Sequence, residues 1–215
     1  MMEQLTIQLA AVNMHKCNAI THALLNTSTN IHILLIQEPW YDTIGTARKD
    51  SSKEGVDVLG GVSSPGWDIL YPGISGTQQP KMMAYMRKPD RSKRNQPCFT
   101  IGPWSDICTH PCVQVLDVWI KNENWQVINF YHDVQDKTAL PALLGLNIDA
   151  TTPTLVIGDF NTHSPTWLPP NIPRSTWAAK VEEWASTNLL TLANDPGVIT
   201  RRGADHERDS TIDKA

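Results

Sequence analysis

Residues 155–161 read Leu-Val-Ile-Gly-Asp-Phe-Asn, an apolar run that ends in a glycine, a carboxylate and an amide. A short apolar run of this kind is typical of a strand buried on both faces. Residues 31–40 read Ile-His-Ile-Leu-Leu-Ile-Gln-Glu-Pro-Trp and follow the same plan, with Glu38 just past the strand. Polar groups at the carboxyl ends of core strands lie at a sheet edge, where α/β proteins commonly bind ligands. The two stretches therefore predict a core sheet with a polar site at one end.

The remaining pattern predicts one domain, residues 1–215, with many short strands and few helices. Alternating apolar residues predict strands at 5–9, 67–71, 82–87, 113–120 and 125–131, and shorter ones at 189–193 and 198–200. Helical spacing predicts helices at 15–26, 139–146 and 174–187. Residues 42–66, rich in Gly, Ser and charge, are interpreted as a long loop. The class is α/β, with either one mixed sheet or two packed sheets and the helices outside.

The composition favours a globular protein and leaves its function open. Hydrophobic residues make up 40% and charged residues 19%, and the net charge is −4. This charge argues against a protein that coats nucleic acid through an excess of positive charge. It is compatible with a metal-dependent phosphodiesterase, whose acidic site binds cations. There is no glycine-rich phosphate loop and no run long enough to cross a membrane. The absence of a signal peptide predicts an intracellular protein.

Two small motifs suggest metal chemistry, each with a simpler alternative. Glu38 alone could be a solvated loop carboxylate, and Asp159 with Asn161 could form an Asx-type turn. Together they supply the carboxylate and amide oxygens that Mg²⁺ or Mn²⁺ prefers. The stretch from Cys108 to Cys112 contains Cys-x-His-x-Cys, but this spacing matches no standard zinc motif, so loop thiols are expected there instead.

Three motifs in the same order give the chain a resemblance to a known family. Gln37-Glu38, residues 158–161 and residues 210–213 (Ser-Thr-Ile-Asp) resemble the motifs of the endonuclease/exonuclease/phosphatase superfamily. The longer strings at 37–40, 158–167 and 200–202 resemble its LINE-type retrotransposon branch. The resemblance implies a DNase I-like sandwich of two packed mixed sheets flanked by helices. It also implies Mg²⁺-dependent (or Mn²⁺-dependent) nicking of DNA, and a parent polypeptide with a downstream reverse transcriptase that acts in the nucleus.

The resemblance assigns a role to each polar residue of these motifs. It makes Glu38 a metal ligand and Asn13 a residue that helps to hold the metal and phosphate, although Asn13 could also cap a helix. Tyr131 would contact the scissile phosphate, or could be a core aromatic. Asp159 would position or deprotonate the attacking water, and Asn161 would support the phosphate. Asp213 would orient a catalytic histidine.

That histidine belongs to a Ser-Asp-His motif that follows the last aspartate in the family. Here Asp213 is followed only by Lys214 and Ala215. We therefore expect a domain that is incomplete at its C-terminus, lacks its last strands and has little activity. His132 and His163 are not expected to substitute for the missing group.

Basic residues concentrate in one stretch of an otherwise acidic chain, at Lys81, Arg87, Lys88, Arg91, Lys93 and Arg94. They could form a solvated hairpin tip, or they could contact the phosphate backbone of DNA. Arg201 and Arg202 are further candidates for DNA binding. Two alternatives remain open: a catalytically dead retroelement fragment, and a phosphodiesterase or phosphatase of the same superfamily that acts on lipid or inositol phosphate.

Overall fold

The computed structural model describes residues 6–48, 55–73, 79–90, 99–103, 107–168, 172–194 and 213–214. The strands are β1 (Leu9–Asn13), β2 (Ile33–Gln37), β3 (Asp42–Arg48), β4 (Gly55–Gly60), β5 (Trp67–Leu70), β6 (Met82–Arg87), β7 (Phe99–Pro103), β8 (Val113–Ile120), β9 (Glu123–Tyr131), β10 (Thr154–Asp159) and β11 (Asp213–Lys214). The helices are α1 (Asn18–Thr27), α2 (Ala139–Leu144) and α3 (Thr176–Thr187).

These strands form two mixed sheets and a separate hairpin. The first sheet has the order β1-β2-β6-β5, and the second has the order β11-β10-β9-β8-β7. In each sheet one neighbouring pair is parallel, β1 with β2 and β9 with β10, and the other neighbours are antiparallel. The prediction of an α/β fold with two packed mixed sheets is confirmed.

The apolar run of β2 is continuous because the strand is buried on both faces. All five of its residues are buried, because its two faces pack against different layers. Ile33 and Leu35 belong to an apolar cluster that includes Leu116 of the second sheet. Leu34, on the opposite face, belongs to another cluster, which includes Leu25 of α1. The outer face of the second sheet packs against α2 and α3 through another apolar cluster. The result is four layers, with one helix layer outside each sheet.

Several sequence expectations were wrong. Residues 42–66 are not a long loop, because β3 and β4 pair as a hairpin within them. The first strand is Leu9–Asn13 rather than 5–9, β7 was not predicted, and no strand occupies 189–193. Strand β10 is only half-buried from residue 154 to 157, although its sequence predicted complete burial. Residues 198–200, 201 and 202 lie outside the part of the chain that the structure describes.

Parallel pairing brings four strand ends to one edge of the sandwich. Asn13 lies beside Gln37 at the ends of β1 and β2, and Tyr131 lies beside Asp159 at the ends of β9 and β10. The backbone of Asp213 pairs with that of Asp159 from the other side. The fold thus collects the polar ends of two sheets in one place.

Gly158 permits the close approach of β10 to β9. Its φ is 150°, and a Cβ at this position would lie 1.8 Å from the Phe130 carbonyl oxygen. We expect Gly158→Ala to lower the free energy of unfolding by about 3 kcal/mol or more, because both the backbone conformation and the contact become strained. Urea denaturation measures this loss. Gly102→Ala in β7 is the matched control, since a Cβ there meets nothing within 4 Å. Equal stability of the two variants would contradict this account.

His132, which follows β9, forms two hydrogen bonds to the chain at the end of β10. Its Nδ1–H donates to the Phe160 carbonyl oxygen at 2.9 Å, and its backbone N–H donates to the Asp159 carbonyl oxygen at 2.8 Å. Burial lowers the pKa of His132, although the Phe160 hydrogen bond and nearby Asp133 act in the opposite direction. The neutral ring is therefore the form that holds this junction.

This lowered pKa predicts a pH-dependent stability. The unfolded imidazole binds a proton more readily than the folded one, so the contribution of His132 is complete above its ordinary pKa of 6.5 and is lost as the pH falls through the folded value. His132→Asn keeps an N–H near Nδ1 but does not titrate. We expect the wild type to lose stability relative to His132→Asn below about pH 6.5 in urea titrations. Parallel pH profiles of the two proteins would rule this role out.

Candidate active site

Asn13 joins the two halves of the site. Its Nδ2 donates to Glu38 Oε1 at 2.8 Å and lies 3.3 Å from Asp159 Oδ2, which accepts a second hydrogen bond. Its Oδ1 accepts a hydrogen bond from the backbone N–H of His15 at 2.9 Å. The alternative helix-capping role is not observed, because α1 begins at Asn18 and has Cys17 as its N-cap. Asn13 instead links carboxylates that belong to different sheets.

Glu38 lies just past β2 in a strained conformation. Its φ is 44°, in the left-handed region that non-glycine residues seldom adopt. Its backbone N–H donates to the Lys81 carbonyl oxygen, and its own carbonyl accepts from the Lys16 N–H at 2.8 Å. These bonds fix the backbone, so that the side chain, 21% exposed, faces the site.

Tyr131 reaches Glu38 from the second sheet. Its hydroxyl donates to Glu38 Oε1 at 2.7 Å. Burial, then the hydrogen bond to the Glu38 carboxylate, raises the pKa of Tyr131. The phenol therefore stays protonated and remains a hydrogen-bond donor. The alternative of a core aromatic also holds in part, because the ring packs in the core of the second sheet.

Asp159 is nearly buried, at 2% exposure. Its Oδ1 accepts a hydrogen bond from the Asn161 backbone N–H at 3.0 Å, which forms the expected Asx turn. Asn161 has a φ of 44° and its Nδ2 donates to the His132 carbonyl oxygen at 2.9 Å. The backbone N–H of Asn161 therefore stabilises the turn. A contact between the Asn161 side chain and a phosphate stays a prediction.

The structure brings Asn13, Glu38, Tyr131, Asp159 and Asn161 to one edge, with the backbone of Asp213 beside them. The side chain of Asp213 lies outside the described part of the chain. The catalytic roles of these six residues stay predictions.

The donor set fits a hard cation such as Mg²⁺. Glu38 and Asp159 offer carboxylate oxygens and Asn13 an amide oxygen, and Mg²⁺ takes oxygen ligands while it keeps several waters. Asn13 Nδ2 and the Tyr131 hydroxyl both donate to Glu38 Oε1, at 2.8 and 2.7 Å. The chemistry of the two carboxylates thus fits the predicted ion, whereas Asn13 presents its Nδ2 to them and its Oδ1 to the His15 N–H.

The three candidate basic residues that the structure describes, Lys81, Arg87 and Lys88, do not form one surface. Lys81 lies beside the site, where its Nζ is 3.1 Å from Asp133 Oδ2. Arg87 and Lys88 lie at the opposite end of β6: Arg87 stacks over Trp67 at 4.2 Å and Lys88 Nζ lies 3.4 Å from Asp68. Residues 91, 93, 94, 201 and 202 fall outside the described ranges. DNA contacts by all of these cations stay predictions.

A second group of possible metal ligands lies nearby. Ligand atoms of His110, Cys112 and Asp136 lie within 4.8 Å of one another, whereas Cys108 is not part of the group. His110 Nδ1 accepts from the Cys112 N–H at 3.2 Å, and Nε2 lies 2.9 Å from Thr138 Oγ1. Burial raises the pKa of Cys112 to about 12. Both His110 ring nitrogens are therefore hydrogen-bonded within the protein, and the Cys112 thiol lies 3.9 Å from Asp136 Oδ2.

Sequence patterns did not identify every residue at this edge. They missed His15 and Lys16, whose backbone bonds connect to Asn13 and Glu38. They also missed the Gln37 side chain, whose Nε2 donates to Asn129 Oδ1 at 2.6 Å between the sheets. The available signal for the pair Gln37 and Asn129 was a polar residue within each of two otherwise apolar, buried stretches of strand. Among the described helices, none is long and apolar enough to cross a membrane.

Comparison with known proteins identifies the fold. No protein-family model matches the sequence, and no curated protein matches it. Among solved structures, the chain is similar to the endonuclease domain of TRAS1, a telomere-specific non-LTR retrotransposon, with a TM-score of 0.68 and 12% identity over 97% of this chain and 84% of that one. An endonuclease/exonuclease/phosphatase family protein from Leptotrichia buccalis C-1013-b has 9% identity over 97% of this chain and 86% of that one, but its TM-score of 0.47 is too low to carry weight. The chain therefore shares the fold of the TRAS1 endonuclease domain, in agreement with the two-sheet sandwich that its motifs implied.

Proposed function

We propose that this chain is the DNA-nicking endonuclease domain of a LINE-type retrotransposon and hydrolyses a phosphodiester bond with Mg²⁺ or Mn²⁺. The observation that carries the proposal is the hydrogen-bonded group of Asn13, Glu38, Tyr131 and Asp159, which two sheets assemble at one edge of the molecule. Its setting is a fold shared with the endonuclease domain of TRAS1.

The proposed chemistry divides between the two carboxylates. When bound, the divalent ion would neutralise charge on the phosphate, and Glu38 with Asn13 would hold it. Asp159 would orient the attacking water and accept its proton, since Asn13 and the Asn161 N–H fix both of its oxygens. Tyr131 would keep the Glu38 carboxylate in place.

The biological setting follows from the same proposal. The nick would expose a 3′ end for a reverse transcriptase carried by the parent polypeptide. Such a reaction takes place on chromosomal DNA, so we place it in the nucleus.

We expect the chain to nick supercoiled plasmid slowly with Mg²⁺, consistent with the little activity expected from its sequence. Asp159→Asn should lower that rate further by about 10²–10⁴-fold, since the variant loses its proton acceptor. Glu38→Gln should lower it to a similar extent. The matched controls are Asp68→Asn, whose carboxylate pairs with Lys88, and Glu183→Gln on the exposed face of α3.

Two outcomes would contradict the proposal. One is nicking by Asp159→Asn at the wild-type rate. The other is a folded wild-type protein that leaves DNA intact but hydrolyses sphingomyelin or an inositol phosphate, which would assign the site to a different substrate.

Tyr131→Phe should raise the Mg²⁺ concentration that nicking requires. Loss of the hydroxyl frees Glu38 Oε1 from one of its two side-chain donors. Residues that orient a ligand typically contribute 10–100-fold to metal affinity, so we expect the Mg²⁺ concentration for half-maximal nicking to rise by about that factor, with the rate recovered at saturating Mg²⁺. Tyr71→Phe removes a hydroxyl that bonds Gly61 instead, and serves as the control. An unchanged Mg²⁺ requirement would exclude this role.

A further inference from the structure

The turn between β1 and α1 has a conformation that its sequence does not favour. His15 has a φ of 46° and Lys16 a φ of 57°, so two successive non-glycine residues are left-handed. Such residues persist where the surrounding structure fixes them, and they cluster at functional sites. Here the fixing bonds come from the candidate site itself: the His15 N–H donates to Asn13 Oδ1, and the Lys16 N–H donates to the Glu38 carbonyl oxygen.

This conformation turns both side chains outward at the rim of the site. His15 and Lys16 are exposed, and the His15 side chain is 71% accessible. The imidazole nevertheless stays close to the carboxylates, with Nδ1 3.9 Å from Glu38 Oε1. A group bound at Glu38 would therefore lie within reach of the imidazole.

Among the described residues, Lys16 differs from Lys81, Arg87 and Lys88 in that its side chain has neither an acidic nor a carbonyl partner. Lys81 pairs with Asp133 and Lys88 pairs with Asp68. Arg87 donates to the carbonyl oxygens of Ser28 and Ile31. Within the described residues, no carboxylate lies within 4.0 Å of Lys16 Nζ. Its charge remains available to an anion that approaches the acidic site.

We propose that His15 and Lys16 bind the backbone phosphate that adjoins the scissile phosphate, and so position the strand to be cut. The inference rests on the proposed endonuclease function and adds a subsite to it. An ammonium supplies a point charge, and an imidazole always has at least one ring N–H to donate. Neither group reads a base edge, so the subsite contributes affinity and register rather than sequence preference.

The first experiment measures DNA binding without cleavage. Affinity of the full chain for two duplexes of unrelated sequence is titrated over a range of salt concentrations, with Mg²⁺ omitted. A phosphate contact contributes about 0.9 to the slope of log affinity against log salt, so Lys16→Ala should lower the slope by about that amount for both duplexes.

Lys121→Ala is the matched control. Lys121 is exposed and has the same φ of 57°, but it lies in the β8–β9 turn at the opposite end of the second sheet. An equal loss of slope in Lys16→Ala and Lys121→Ala would overturn the proposal, because the effect would then reflect overall charge. Lys16→Gly removes the same cation but favours the left-handed backbone, so it should match Lys16→Ala in binding while it melts no lower than the wild type.

The second experiment measures nicking kinetics for His15→Ala, with His22→Ala on the exposed face of α1 as the control. We expect KM to rise about tenfold with kcat little changed, because the contact positions substrate without touching the reacting atoms. A wild type that nicks DNA beside a His15→Ala variant with unchanged KM, or an unchanged salt slope in Lys16→Ala, would overturn the subsite alone. A wild type that neither binds nor nicks DNA would instead overturn the proposed function.

Discussion

The hydrogen bond between Gln37 and Asn129 ties the two sheets together beneath the candidate site. Both side chains are fully buried, and Gln37 Nε2 donates to Asn129 Oδ1 at 2.6 Å. Asn129 Nδ2 donates in turn to Gln114 Oε1 at 3.2 Å. Apolar packing between sheets has no preferred direction, whereas an amide pair in a dry layer has one geometry and is costly to break. This small network therefore sets how one sheet lies on the other.

The position of that network gives it influence over the chemistry. Gln37 directly precedes Glu38, and Asn129 lies two residues before Tyr131 on the same strand. The 2.7 Å bond from Tyr131 to Glu38 spans the same two strands as the amide pair. A slip of one sheet by an ångström would separate the hydroxyl from the carboxylate, since a hydrogen bond weakens steeply beyond about 3.2 Å. The core thus fixes the site through polar contacts as well as through packing.

The sequence predicted most of this framework, because its strongest local signals come from fully buried strands. Strand β2 has an unbroken apolar run, and its end and that of β10 carry the acidic residues that meet at the edge. The β3–β4 hairpin was not predicted, because it forms a separate two-stranded sheet. Ile44, Val58 and Leu59 are exposed, so its apolar residues do not mark a buried face. The contact between Asn13 and Asp159 joins residues 146 positions apart, and only the packing of the sheets creates it. Roles for these residues came from the resemblance, not from spacing.

The basic stretch shows how sequence proximity can mislead about electrostatics. Lys81 directly precedes β6 and Arg87 is its last residue, so the two cations lie at opposite ends of the strand. Arg87 also contacts the Trp67 ring and backbone carbonyl oxygens. Charges separated by more than about 8 Å are largely screened at physiological salt, so a cation at the far end does little for a phosphate at Glu38. Under the proposed function, a chain with a net charge of −4 would draw on cations beside the acidic group to attract its anionic substrate. Lys16, held by its backbone against Glu38, occupies such a position.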